Sequence, residues 1–197
     1  KNVELMRSLR EASGPDMQVM IDAWANWGVP YTLRMANLLK EYEPAWIEEP
    51  VQYQLHDSYL QLKCESPIPI AGGEHEFTRW GVKTLLDQDI LDIYQFEPVW
   101  AGGISELMKI GALVSSYDAT FIPHVYVPAA SAQIAFTLNA MTTPMLEYHY
   151  ILGEIYQFFL EEPTKPKQGY FYPPEAPGIG ITIEEEKVQT EKQLTFS

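Results

Sequence analysis

Short apolar runs along this chain end repeatedly on a single ionisable residue. Val19-Met20-Ile21 ends on Asp22, Ala45-Trp46-Ile47 on Glu48, Phe121-Ile122-Pro123 on His124 and Met145-Leu146 on Glu147. Ile68-Pro69-Ile70 leads into Glu74, and the run 90–95 leads into Glu97. These six residues stand 23 to 27 positions apart, which is the length of one strand, one helix and two loops. Between them the apolar spacing turns helical. Leu33, Ala36, Leu38 and Leu39 mark a helix over 32–42, and Val82, Leu85 and Leu86 mark one over 78–88 behind Thr78 as a cap. Helices are also expected over 104–116 after Gly102-Gly103 and over 129–140 after Pro128, with a shorter one over 56–64. Val3, Leu5, Met6, Leu9 and Ala12 form an opening helix with no strand before it.

Strict alternation of strand and helix predicts a parallel sheet with crossover helices, closed or open. An open doubly wound sheet gathers its site at one switch point. Ionisable groups at the end of strand after strand instead fit the mouth of a barrel. The expected fold class is α/β, a partial (β/α)8 TIM-type barrel over residues 1–150 with six parallel strands, strands 3 to 8 of a full ring. The first two strands and an amino-terminal domain are expected to be missing from the chain. From 151 to 197, Pro163, Pro166, Pro173-Pro174, Pro177-Gly178 and Gly180 break any long element. That stretch reads as a C-terminal extension packing on the barrel or on the absent domain, with Glu184-Glu185-Glu186 at its surface.

With 197 residues and 46% hydrophobic content the chain can bury one real core. Its net charge of −14 argues against nucleic acid or an anionic membrane as partner. An anionic substrate would then need local positive charge, such as a metal ion. Cys64 is the only cysteine, which excludes an intrachain disulfide and favours a cytoplasmic location. No apolar run approaches the roughly 20 residues of a membrane span.

Adjacent parallel strands lie about 4.8 Å apart, so Asp22, Glu48 and Glu74 on successive strand ends can converge on one cation. Hard oxygen donors suit Mg²⁺, or Mn²⁺, better than zinc. Any one of these acids alone reads as a solvated loop residue or helix cap; three in register point to a metal. His124 follows Glu97 by one strand and reads as a base whose tautomer that carboxylate fixes. Glu147, one strand further, can donate to a developing oxyanion if protonated or orient another group if not. His75 reads either as a proton donor or substrate-hydroxyl contact, or as a cap or supporting histidine. His56 and His149 fall outside the series and read as structural. Trp24, Trp27 and Trp100 read as pocket wall or as core.

At these residues the chain resembles the enolase superfamily, in particular the mandelate racemase subgroup and within it the acid-sugar dehydratases. The segments that carry the resemblance are Met20-Ile21-Asp22-Ala23-Trp24, Trp46-Ile47-Glu48-Glu49-Pro50, Gly73-Glu74-His75-Glu76, Asp92-Ile93-Tyr94-Gln95 through Trp100-Ala101-Gly102-Gly103, Ile122-Pro123-His124, Leu146-Glu147-Tyr148 and Pro177-Gly178-Ile179-Gly180. The resemblance implies that Asp22, Glu48 and Glu74 bind Mg²⁺, with Glu48 rather than Glu49 as the ligand of that pair. It implies that His124 is the base of a histidine–acid dyad and that Glu147 helps stabilise the enolate. The implied reaction abstracts the proton α to a sugar-acid carboxylate and eliminates the β-hydroxyl through an enediolate. Two departures stand out: Glu97, preceded by Phe96, occupies the dyad position where the family holds aspartate, and the cap domain that supplies specificity is absent. Alternatives are a racemase or epimerase of a 2-hydroxy acid, which needs a second base from a missing strand, or a noncatalytic barrel kept for binding or assembly. A homo-oligomer is expected, with no nucleic-acid or membrane partner.

Overall fold

The structure is a computed structural model that describes residues 1–192. After helix α1 (Asn2–Ser13), strands and helices alternate as β1 (Ile21–Asp22), α2 (Val29–Leu39), β2 (Ile47–Glu48), α3 (His56–Glu65), β3 (Ile70–Gly72), α4 (Thr78–Gln88) and β4 (Ile93–Tyr94). A short α5 (Pro98–Ala101) then precedes α6 (Ile104–Ser116), β5 (Thr120–Phe121), α7 (Pro128–Ala135) and α8 (Leu152–Tyr156). All strand pairings are parallel and the order is sequential, β1-β2-β3-β4-β5. Asp22 lies level with Glu48, and Glu48 with Ala71, so the strand ends share one rim.

The period of two along each strand sorts side chains between two environments. Ile47, Ile70, Tyr94 and Phe121 pack outward with Leu39, Leu62, Val82, Leu86, Leu107 and Ile110 of the helices. Trp46, Ala71 and Ile122, with Met20 and Ile93, form a separate cluster on the opposite, inner face. Two residues further along that inner face stand Asp22, Glu48, Gln95 and His124. A polar layer therefore sits directly above an apolar one, as the interior of a small barrel requires.

Among the described residues five strands are paired, not six. The run before Glu147 joins the sheet through isolated bonds alone: Phe121 N–H donates to Thr142 O at 2.7 Å and Glu147 N–H to Pro123 O at 3.4 Å. Pro123 and Pro144 each remove a ladder donor from this last pairing, and proline interrupts a central strand for that reason. Two helices also differ in extent. Helix α2 starts earlier, at Val29, because Pro30 is preorganised for the first turn. Helix α7 stops at Ala135, where Thr137 bonds back to Ile134 O at 2.7 Å and the Asn139 side chain accepts from Met141 and Thr142 N–H.

Beyond Glu147 the chain contains α8, an isolated antiparallel bridge between Leu160 and Ile183 and another between Lys167 and Tyr170. It returns to the rim, where Tyr156 packs edge-on against Tyr126 at 5.1 Å. No helix among the described residues is long and apolar enough to cross a membrane.

One backbone position fixes the approach to the rim. Gly73 has φ 107°, and a Cβ there would lie 2.9 Å from Phe96 Cε1. Gly73→Ala should cost about 2 kcal/mol or more, from the left-handed penalty and the displaced ring. Gly14→Ala, at φ 77° with open space around it, should lose only the conformational part. Urea denaturation of both variants checks the difference.

Candidate active site

His124 is the hub of the rim. It is 5% exposed, and both ring nitrogens face carboxylates. Nδ1 lies 3.0 Å from Glu97 Oε2, while Nε2 lies 2.6 Å from Glu74 Oε2 and 3.9 Å from Glu147 Oε1. Glu97 is wholly buried and caps α5, accepting from Val99 N–H at 3.0 Å, and it also accepts from Tyr126 N–H at 2.8 Å. With the imidazole these make three donors for one carboxylate, so its orientation is fixed from two loops at once. The Tyr126 ring packs edge-on to His124 at 4.7 Å.

A second histidine–acid contact adjoins the first. His75 Nδ1 lies 3.1 and 3.0 Å from the two oxygens of Glu49 and 3.5 Å from Glu74 Oε1. His75 also stacks on Tyr53, with ring centroids 5.1 Å apart, and meets the edge of Trp100 at 5.4 Å.

Asp22 and Glu48 complete the ring on the side of β1 and β2. Asp22 is exposed at the sheet edge and accepts from Trp24 N–H at 2.8 Å. Trp24 itself is 65% exposed, and Trp27 lines a cavity of about 330 Å³ together with Asp22 and Met6. Asp22, Glu48 and Glu74 feel one another's charge, but the tight trio, with ligand atoms within 4.8 Å of one another, is Glu49, Glu74 and His75.

Electrostatics follow from packing so many acids together. Burial, then the charge of Glu147, pushes Glu48 up to about 8 against a hydrogen bond with Gln95. Burial lifts Glu147 to about 7 against the pull of His124. For Glu74 burial acts upward, yet hydrogen bonding to His124 and that ring's charge leave the carboxyl below its ordinary value. Burial likewise opposes charge on His124, but the hydrogen bonds to Glu74 and Glu97 and the charge of Glu147 carry it to about 11. Glu147 Oε2 is buried without a hydrogen-bond partner among the described residues, as is Gln95 Oε1 on the same inner face. Hard oxygen donors crowded at one rim, with the Asp22, Glu48 and Glu147 carboxyls raised and an orphaned buried acceptor among them, fit a divalent cation.

Sequence reasoning placed Glu74, Glu97, His124 and Glu147 at the rim, and the fold gathers the three carboxylates on the His124 imidazole. It set Glu49 aside in favour of Glu48 and passed over Tyr53, Gln95 and Tyr126 as site residues. Gln95 was legible as the inner-face residue next to Tyr94 of β4; Glu49 was not, because strand alternation points it outward and only its left-handed backbone, φ 36°, redirects it. His149, read as structural, accepts from Leu152 N–H at 3.1 Å and lies near enough to lower Asp22 and Glu74.

Residues 1–187 match the family model described as enolase C-terminal domain-like. The chain belongs to that family. It is 34% identical over 191 residues to an L-rhamnonate dehydratase from Saccharopolyspora erythraea, covering 94% of this chain and 49% of that protein. It is 31% identical over 195 residues to a D-galactarolactone cycloisomerase from Agrobacterium fabrum, covering 93% and 51%. Among solved structures, a 3,6-anhydro-D-galactonate cycloisomerase from Zobellia galactanivorans superposes with a TM-score of 0.86 at 28% identity, covering 94% of this chain and 53% of its own. The chain spans about half the length of the curated relatives it matches. The family assignment accounts for the α/β fold with a parallel sheet, the C-terminal barrel portion of enolase-superfamily proteins that include acid-sugar dehydratases.

Proposed function

We propose that the complete protein is a cytoplasmic, Mg²⁺-dependent acid-sugar dehydratase, a carbon–oxygen lyase, with Mn²⁺ as an alternative metal. The observation that carries this reading is the buried His124–Glu97 pair at 3.0 Å, whose outer nitrogen faces Glu74 and Glu147. Asp22, Glu48 and Glu74 would hold the cation. When bound, it supplies Lewis-acid stabilisation of the negative charge that develops on a substrate carboxylate. The likeness to L-rhamnonate and arabinonate dehydratases supports a sugar-acid substrate.

His124 Nε2 takes the proton α to the carboxylate, while Glu97 holds Nδ1–H and stabilises the imidazolium that forms. The released electron pair gives an enediolate. Glu147, with its carboxyl lifted to about 7, holds a proton in about half of the molecules at neutral pH, and in that form donates to the developing oxyanion. The His124 imidazolium returns its proton to the β-hydroxyl, which leaves as water, and the enol that remains tautomerises to a 2-oxo-3-deoxy acid. His124 can act as a base only when Glu74 no longer offers its full charge to Nε2, a condition that a cation held by Glu74 would meet. Residues 1–150 would form the catalytic barrel portion, 151–197 an extension over its mouth, and an upstream cap would complete the substrate pocket, in a homo-oligomer.

The test is turnover of aldonic and aldaric acids by the complete protein with Mg²⁺, read as 2-oxo acid. Formation from at least one sugar acid supports the proposal. Metal and substrate binding without turnover would favour a noncatalytic barrel, and an inverted α-carbon without water loss would favour a racemase.

The pH dependence of stability gives a second check. Glu48 and Glu147 bind protons more tightly folded than unfolded, so their contribution is full below the ordinary carboxyl value of 4.5 and lost as pH rises through about 7 and 8. His124 acts in the same direction between 6.5 and about 11. Without metal the unfolding midpoint should fall as pH rises from about 5 to about 9. Mg²⁺ should raise it more at pH 8 than at pH 6, because carboxylates must lose protons to ligate. Thermal scans with Mg²⁺ or EDTA measure both effects.

A further inference from the structure

We infer that Glu49, His75 and Tyr53 form a hydroxyl-recognition subsite beside the His124–Glu97 pair, so that His75 selects among sugar acids by one hydroxyl group; this rests on the acid-sugar reading above. Glu49 is 1% exposed and adopts φ 36°, a conformation that costs a non-glycine residue about 1–2 kcal/mol. The surrounding backbone holds it there. Ala25, itself left-handed at φ 56°, donates its N–H to Glu49 O at 2.6 Å. The redirected side chain packs beside Gly72, where a Cβ would meet Glu49 Cγ at 3.4 Å, an ordinary contact.

The result is a ring fixed in position and tautomer. Both Glu49 oxygens and one of Glu74 surround His75 Nδ1 at 3.0 to 3.5 Å. Carboxylate oxygens only accept, so Nδ1 is the donor in its contacts with Glu49. Stacking on Tyr53, with 14° between the planes, and the edge contact with Trp100 fix the ring plane. Nε2, on the other side of the ring, has no protein hydrogen bond among the described residues, and the side chain keeps 20% exposure at the mouth. With Nδ1 engaged by Glu49, Nε2 is the ring atom left to meet substrate, and its direction is set by the ring plane. That is a hydrogen-bonding partner for a substrate hydroxyl, which can donate or accept. A metal held by Glu49, Glu74 and His75 is the weaker reading of the same trio, because both Glu49 oxygens are already directed at Nδ1, the nitrogen that would have to ligate.

Selection through a hydrogen bond made by the site rejects analogues that lack the partner group, since the site's polar atom is then left unpaired. The experiment uses the complete protein with Mg²⁺, aldonic acids differing at single carbons and the matching monodeoxy acids. His75→Phe keeps an aromatic ring to stack on Tyr53 and removes Nε2; His75→Asn replaces it should the phenylalanine variant not fold. The expected result is a fall of about tenfold or more in kcat/KM for the preferred acid, and no fall for the deoxy acid lacking the contacted hydroxyl. Glu49→Gln should show the same pattern with a smaller loss. An equal loss on every acid, or none on any, would overturn the inference. If wild-type protein turns over no acid, the dehydratase reading fails, and calorimetric dissociation constants on the same panel still decide His75. Weakening confined to acids that carry the hydroxyl supports it, while uniform affinities or no binding at all overturn it.

Discussion

Replacing His124 with asparagine in the complete protein should lower turnover about 1,000-fold, within the range that a positioned general base contributes, while leaving divalent-metal affinity nearly unchanged. The asymmetry follows from position. His124 touches Glu74 only through Nε2 at 2.6 Å, and the three proposed ligands remain in the variant. Glu97→Gln should behave similarly with a smaller loss. Its carboxylate accepts from Val99 N–H, Tyr126 N–H and His124 Nδ1, and an amide would turn one –NH₂ against a donor, leaving a buried group unpaired. The extra methylene relative to aspartate does not prevent contact, because Glu97 still reaches Nδ1 at 3.0 Å. Calorimetry for the metal and 2-oxo acid formation for turnover separate the two effects. Turnover retained in His124→Asn would remove this histidine from the reaction.

Glu48→Gln should move stability in opposite directions with and without metal. Burial and the charges of Glu147, Asp22 and Glu74 make ionised Glu48 costly at neutral pH, so a neutral isostere relieves repulsion and raises the metal-free unfolding midpoint at pH 8. The same change removes one of the three proposed carboxylate ligands, and Mg²⁺ affinity should fall about 100-fold, roughly 2.7 kcal/mol. The midpoint shift that saturating Mg²⁺ gives wild-type protein should then largely disappear. Thermal scans of wild type and variant with Mg²⁺ and with EDTA read both signs together. A variant that still gains full stabilisation from Mg²⁺ would place the cation elsewhere on the rim, and Glu49, 1% exposed and adjacent, would be the first residue to replace.

Much of the fold was legible because local signals agreed with the global arrangement. Helices over 78–88 and 104–116 coincide with α4 and α6 to the residue; in each, a helical apolar stripe follows a residue that breaks the preceding strand. The position of each ionisable group followed from the run before it, since a strand that buries Ile47 outward must turn Glu48 inward. Strand length was less accessible. The last run looks like its predecessors in hydropathy, but pairing depends on backbone donors, and Pro123 and Pro144 remove two of them. The site was legible where chemistry lies on strand alternation, as for Glu97 and His124, and hidden where backbone strain or a main-chain group supplies it. A left-handed glutamate such as Glu49 has no signature in composition, and the Tyr126 N–H that steadies Glu97 belongs to no motif.

The most direct test of the central claim, that this rim abstracts a proton α to a carboxylate with the help of a divalent cation, is proton NMR of sugar acids incubated with the complete protein in deuterated water. The account predicts that with Mg²⁺ the α-proton signal of at least one acid disappears as a 2-oxo-3-deoxy product forms, and that EDTA or His124→Asn stops both. An α-proton that persists across the panel while Mg²⁺ and substrate are bound would contradict it.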